Sequence, residues 1–323
     1  MAMPKQEESL NTPSLVSIAL ATFNGEEFLS QQMDSLLQQD YPNFEIVVSD
    51  DGSTDATWQI LERYAAQDQR IRLLPRDKNR GVVRNFARCF SACRGDLISP
   101  CDQDDIWYPG KTRRLAEAMG DSLLVYCNSQ FINSEGRPTG LTLADTLNMI
   151  QGNDPRPFLF SNSVLGHAMI FRKGLLSGHG AITRVPHDWW LAFVASNLGY
   201  IKYIDEVLVD YRRHDTSLTQ AAARNRSVLQ RQQFLDEDTL RLEAMAEFPG
   251  PYRAYARKVR DIWLTWHRSY LNLSMFWAVL RNANVTHRAF LRKKTALQLA
   301  IKYLAGPKLK KLLLPNYYPE PSS

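Results

Sequence analysis

Two clusters of carboxylates stand where apolar runs stop, and this placement constrains the fold more than any other feature of the chain. Asp102-Gln103-Asp104-Asp105 follows Gly95-Asp96-Leu97-Ile98-Ser99-Pro100, and Asp50-Asp51 follows Phe44-Glu45-Ile46-Val47-Val48-Ser49. Each run reads as a short buried strand. Carboxylates packed at one strand end repel each other unless something positive joins them. Hard divalent cations such as Mg²⁺ or Mn²⁺ take oxygen ligands and often bridge protein carboxylates to a nucleotide diphosphate. In an open α/β sheet, ligands bind at the carboxyl ends of the strands. Two acidic strand ends therefore point to one site for a metal and a nucleotide.

The surrounding pattern supports such a sheet. Residues 14–21, 44–50, 71–74, 97–100 and 123–127 read as strands. Between them, 26–39 carries Phe28, Met33, Leu36 and Leu37 at helical spacing, and the helix opened by Ser53-Thr54-Asp55 carries Trp58, Ile60, Leu61 and Tyr64. Residues 82–93 and the stretch from Pro109 complete the helices. Alternation at this spacing predicts an α/β fold with a doubly wound, mostly parallel sheet flanked by helices. Regularity fades after Phe131: 134–140 holds turn residues and 151–157 is polar and proline-bearing. Strand-like patches return at 168–171, 200–204 and 207–211, with a helix over 187–198. From Ala221 onward the chain reads as mostly helix, broken at Phe248-Pro249-Gly250-Pro251.

The charge is uneven. Residues 1–220 hold 21 Lys+Arg against 27 Asp+Glu, a net of −6, and 221–323 hold 18 against 7, a net of +11. An acidic front suits metal and sugar chemistry, and a basic back suits an anionic partner. No apolar run approaches the ~20 residues that span a bilayer. The polar, acid-bearing start reads as neither a signal nor a transit peptide, so the expected location is the cytoplasm. Cys89, Cys93, Cys101 and Cys127 lack paired zinc spacing; Cys89 and Cys93, one turn apart on a helix, read as reduced buried thiols.

The run Val16-Ser17-Ile18-Ala19-Leu20-Ala21-Thr22-Phe23-Asn24-Gly25, then Val47-Val48-Ser49-Asp50-Asp51-Gly52-Ser53-Thr54-Asp55, then Cys101-Asp102-Gln103-Asp104-Asp105-Ile106-Trp107 resembles the family 2 glycosyltransferases of the GT-A fold, over residues 14–219. Each piece alone is a weak signal, but their order is strong because each falls at a parallel strand's end. The third run, with His187-Asp188-Trp189-Trp190 and Asp210-Tyr211-Arg212-Arg213-His214, looks most like the rhamnosyltransferase-like branch of bacterial surface-polysaccharide synthesis.

The resemblance implies a role for each matching position. Thr22, Asn24 and Glu26 would border the base and ribose, and Asp50 and Asp51 would hold the base and sugar of the nucleotide. An imide N–H of uracil or thymine suits a carboxylate acceptor. A turn and helix cap is the plain alternative for Asp50-Asp51-Gly52-Ser53, and Asp55 reads as a cap. Gly81 would allow close backbone approach and Arg84 would face the diphosphate, the alternative being an ordinary loop before an amphipathic helix. Asp102 falls to the ribose side, Asp104 to the metal, and Asp105 to support of the loop or donor sugar; an Asp-rich helix start is the bland reading. Asp188 would be the general base that takes a proton from the acceptor hydroxyl, or a helix cap, or both. The family has two acids there, and this chain has His187 before Asp188. In-line displacement would invert the anomeric centre. His214 would contact metal or diphosphate, or lie as polar surface. His167, His179, His267 and His287 have no motif context and receive no role.

The implied enzyme needs Mn²⁺ or Mg²⁺, a donor such as dTDP-rhamnose or a UDP-sugar, and a glycan or lipid-linked glycan acceptor. The implied division is a flexible start over 1–13, a GT-A domain over 14–220 and a basic helical region over 221–323. Within the domain the nucleotide-sugar half covers about 14–130 and the acceptor half about 131–220. A nucleotidyltransferase is the nearest enzyme alternative, but Thr22-Phe23-Asn24-Gly25 lacks a glycine-rich phosphate grip. A non-catalytic sugar-nucleotide or glycan-binding subunit is the other.

Residues 252–281 carry one wide helical stripe, from Tyr255 and Trp263 to Trp277 and Leu280, which would pack on the catalytic domain or on a second subunit of a homo-oligomer. Arg292-Lys293-Lys294, Lys302, Lys308, Lys310 and Lys311 alternate with apolar residues. This fits a helix on the anionic inner face of the cytoplasmic membrane as well as a solvated basic face. No nucleic-acid recognition motif accompanies the charge.

Overall fold

A computed structural model describes residues 13–177, 184–214 and 228–313, without the side chains of 228–234, 267 and 311–313. The start expected to be flexible, 1–13, lies outside the described residues except for Pro13, as does the expected junction at 220 and 221.

The sheet begins with β1 (Val16–Thr22), β2 (Phe44–Asp50), β3 (Ile71–Leu73) and β4 (Leu97–Cys101), all parallel in the order β3-β2-β1-β4. Every residue of β1, β2 and β4 is buried, as a strand covered on both faces requires. Alternation along β1 sends Val16, Ile18 and Leu20 to one core and Ala19 and Ala21 to the other. The first core is closed by α1 (Leu29–Leu37), α2 (Thr57–Gln67) and α4 (Lys111–Ala118), and the second by α3 (Val82–Ala92).

Beyond β4 the sheet is mixed. β8 (Met169–Arg172) runs antiparallel to β4 and to β6 (Leu124–Ile132), and β9 (Ile201–Arg212) pairs parallel with β6. β5 (Ile106–Trp107) and β7 (Pro138–Thr142) pair antiparallel with β9 and β6. The patches expected at 200–204 and 207–211 are one strand, with the irregularity taken up in its pairing near Cys127 and Asn128. β7 replaces part of the turn expected at 134–140; it is an exposed strand, where Pro138 interrupts no central ladder.

Helix α6 (His187–Leu198) lies on the second core. The C-terminal helices are α7 (Val228–Glu247), α8 (Arg253–His267), α9 (Leu273–Thr286), α10 (Ala296–Leu304) and α11 (Pro307–Leu313). The stripe expected over 252–281 is split in two because the Asn272 side chain caps α9, accepting from Met275 N at 2.7 Å. Part of its aromatic face turns inward, with Trp263 on Phe160 at 5.9 Å between ring centroids, while Tyr270 and Trp277 stay exposed; just after α7, Phe248 meets Trp190 and Phe193 of α6. These helices therefore share a core with residues 150–195.

Candidate active site

Strand register brings the acids together. Thr22 is the cross-strand neighbour of Asp50, and Leu20 of Cys101, so the loops after β1, β2 and β4 open at one edge of the sheet. Ile106 pairs with Asp210, which sets the loop 102–105 beside the end of β9. That pairing joins residues about a hundred positions apart.

The β2 end is a fastening. Asp50 is 1% exposed and accepts bonds from Thr22 Oγ1 (2.9 Å), Ser53 Oγ (2.5 Å) and Ser53 N (3.0 Å). The Asp51 carboxylate accepts from Arg80 N and Gly81 N, both at 2.8 Å. It thereby holds the loop in which Gly81 takes φ +86, a conformation open to glycine. Asn24, at φ +46, accepts from Thr54 N at 2.8 Å, and Glu26 accepts from Ala56 N at 2.8 Å. Asp55 accepts from Thr57 N, as a cap should. Arg84 stands apart: it is exposed and has no hydrogen bond or ion pair among the described residues.

Gln103, to which the sequence reading gives no role, locks the acidic loop to the first strand. Its side chain accepts from Phe23 N (2.8 Å) and donates to Phe23 O (3.0 Å). A Cβ on Gly25 would lie 2.3 Å from Gln103 Oε1, so only glycine leaves room for this bridge. Its position inside Asp-Gln-Asp was the available signal.

Asp104 Oδ2 and His214 Nε2 are 2.8 Å apart. Two ligands each ~2.1 Å from one hard cation, at right angles, stand ~3 Å apart, so this pair fits an ion. Asp102 borders the same opening, and burial, then Asp104 and Asp188, push its carboxyl up to about 7. Asp105 is fully buried; Oδ1 accepts from Arg212 N at 2.9 Å, and Oδ2 has no hydrogen-bond partner. Burial and the neighbouring acids raise its pKa well above the ordinary value. A crowded acidic loop is the donor chemistry a divalent cation relieves.

Behind this loop lies a second set. His167 Nδ1 is 3.7 Å from Asp105 Oδ2 and 4.0 Å from Asp102 Oδ2, and ligand atoms of the three fall within 4.8 Å of one another. His167 Nε2 bonds Ser129 Oγ at 2.9 Å, and burial holds the imidazole neutral, with its pKa near 3. Lys111, fully buried over the Trp107 ring, is the nearby cation; burial lowers its pKa to about 7. Nothing local in the sequence marks His167 or Lys111.

Arg212 binds the loop from below. It is 1% exposed and donates from Nε to Asp104 O (2.8 Å), from Nη1 to Ser134 O (2.9 Å) and from Nη2 to Gln31 Oε1 (2.7 Å). A lysine has no fork to serve three directions. Arg212→Lys is expected to lower stability by about 3 kcal/mol, read as a fall in the urea midpoint with an unchanged slope. An unchanged midpoint would mean the clamp is dispensable.

Asp188 opens α6 and accepts from Trp189 N (2.7 Å) and Asn162 Nδ2 (3.3 Å); burial raises its carboxyl to about 6. His187 faces the other way. Its ring lies 4.0 Å from that of Phe86, and burial lowers its pKa to about 3, so it is a neutral core residue.

A sheet of this topology, with its acidic edge, defines the class: the fold is of GT-A type. The domain belongs to glycosyltransferase family 2, since residues 17–177 match the family model described as Glycosyl transferase family 2. EpsH of Bacillus subtilis (strain 168) is 29% identical over 229 residues, 65% of this chain and 64% of EpsH, so the match spans under two thirds of that relative. S. aureus TarS 1-349 in complex with UDP-GlcNAc superposes with TM-score 0.59 at 18% identity, covering 78% of this chain and 71% of TarS 1-349. A mannosyltransferase from Pyrobaculum calidifontis, in complex with GDP-Man and Mn²⁺, gives 0.55 at 17%, covering 93% and 87%. Among the described residues no helix is long and apolar enough to cross a membrane.

Proposed function

We propose that this chain is a metal-dependent, inverting glycosyltransferase, with residues 14–220 as the catalytic domain and 221–323 as a basic helical region. The reading rests on one observation: the acids after β4 and the end of β9 meet at the carboxyl edge of a parallel sheet. The donor is a nucleotide-diphosphate sugar, dTDP-rhamnose or a UDP-sugar, on the wording of the Cys101–Trp107 motif. The acceptor is a hydroxyl of a glycan or lipid-linked glycan in surface-polysaccharide synthesis. The basic region would rest on an anionic membrane surface.

In this reading Thr22, Asn24, Glu26, Asp50 and Asp51 shape the nucleotide's berth, largely by fixing loops. Gly81 keeps the backbone low at its rim, Arg84 is free to turn toward phosphate, and Asp102 lies on the ribose side. Asp104 and His214 would hold Mn²⁺ or Mg²⁺, because they face the opening while Asp105 and His167 lie behind it. A cation held there would supply Lewis-acid neutralisation of the departing diphosphate. Asp188 accepts the acceptor's proton as its oxygen attacks the anomeric carbon, and the sugar's bond to the diphosphate breaks on the opposite face.

The test is a thermal-shift panel of nucleotide sugars with and without Mn²⁺ or Mg²⁺. One donor at ~100 times its dissociation constant should stabilise by about 2.7 kcal/mol, and only with metal. A panel in which no nucleotide sugar moves the melting point would sink the reading.

A further inference from the structure

The C-terminal helices carry a feature the transfer reaction does not use. A groove of about 320 Å³ lies between α8 and α9, walled by apolar side chains that include Val259, Ile262, Trp277 and Ala278. Its lining contains two cations, Lys258 and Arg281, and no carboxylate. Neither cation has an ion pair among the described residues; Arg281 lies over the Trp277 ring, 5.5 Å from its centroid. Leu273 and Trp277 are exposed one turn apart on α9, and Leu297 and Ile301 are exposed one turn apart on the adjoining α10. Tyr270 and Leu271, just before α9, are exposed as well. Apolar side chains gathered on one basic region are poorly suited to water and well suited to the headgroup and acyl boundary of a bilayer.

We propose that this groove binds a single anionic lipid, its phosphate between Lys258 and Arg281 and its chain along the apolar wall. The site narrows the membrane contact proposed above to one pocket, rests on that contact, and does not depend on the transfer reaction. Charge selects this occupant. The region from 221 onward carries +11, so a second copy docked through the same region would bring like charges together, whereas a lipid phosphate complements them. The volume is that of a small-ligand site, large enough for a phosphate and the first part of a chain.

The test is co-sedimentation of the full chain with phosphatidylcholine vesicles, with and without phosphatidylglycerol. Tryptophan quenching by phosphatidylglycerol brominated on its acyl chain is the second readout, with Trp277→Phe identifying the Trp277 component. Binding should need the anionic lipid. Lys258→Gln with Arg281→Gln should weaken it about 30-fold, at ~1 kcal/mol for each cation. Ala278→Phe, which fills the groove and leaves every charge in place, should remove the Trp277 quenching and weaken binding. Melting curves check that each variant folds, and donor-dependent thermal shifts should not change. Equal binding to neutral vesicles would overturn the proposal, as would full binding and quenching by Ala278→Phe. A dimer lost in the double Gln variant, with no vesicle binding by the intact chain, would make a second copy the occupant.

Discussion

Asp188→Asn is expected to stop sugar transfer while making the protein more stable. Burial raises the Asp188 carboxyl to about 6 from its ordinary 3.8. The folded pKa lies above the unfolded one, so the folded chain binds this proton more tightly. The stability it contributes is present below the ordinary value and is lost as pH rises from there through about 6. At pH 8 the wild type holds an ionised carboxylate in a poorly solvated place, at a cost of about 1 to 3 kcal/mol. Asparagine can still accept from Trp189 N and carries no charge, so the variant should melt higher. Turnover should fall about 10²–10⁴-fold, the usual contribution of a general base. Donor affinity should be unchanged, since the residues proposed to hold the nucleotide lie on other loops. In the wild type kcat/KM should rise with pH through about 6 and level off. Calorimetry, a donor titration and a pH–rate profile on the same preparations check all three. Normal turnover in the variant would place the base elsewhere.

The parts of this site legible in the sequence are those that local pattern encodes. Apolar runs that stop at Asp50 and Cys101 mark strand ends, and strand ends in a parallel sheet share an edge, so the meeting of the acids followed from periodicity. The pairing of Asp104 with His214 depends on β5 and β9 running side by side, and the motif alone suggested it. What was hidden has no local mark. Lys111 follows a turn and reads as an ordinary helix start, yet α4 carries it into the core beneath the acids. His167 sits in an irregular stretch whose fold is fixed by β8 joining β4 to β6. Arg212 is one arginine of two at a strand end, and its inward turn is set by the carbonyls at 104, 133 and 134. The long stripe over 252–281 misled for a related reason: helical spacing continues through 268–272, yet α8 stops at His267 and the Asn272 side chain starts a separate helix, α9.

Asp104→Ala should abolish metal-dependent donor binding, and its metal-free behaviour separates the two places an ion could lie. Without metal, Asp104 is one of three clustered carboxylates and raises the pKa of both Asp102 and Asp105. Removing it lessens that repulsion, so the metal-free variant should melt no lower than the wild type, and higher at pH 8 than at pH 5 by comparison with it. The wild type with donor and Mn²⁺ should gain about 2.7 kcal/mol at ~100 times the dissociation constant, and the variant should gain almost none. If the ion instead lay among Asp102, Asp105 and His167, Asp104→Ala would keep the Mn²⁺-dependent shift and His167→Gln would lose it. The first outcome is expected because an ion that serves a diphosphate must keep coordination positions open to the substrate. Asp104 and His214 keep 20% and 13% of their side-chain surface exposed, whereas Asp105 and His167 keep 0% and 3%. An ion held by the inner set would have the buried Asp105 and His167 behind it and would reach the leaving phosphates only past Asp102, whose side chain is 40% exposed.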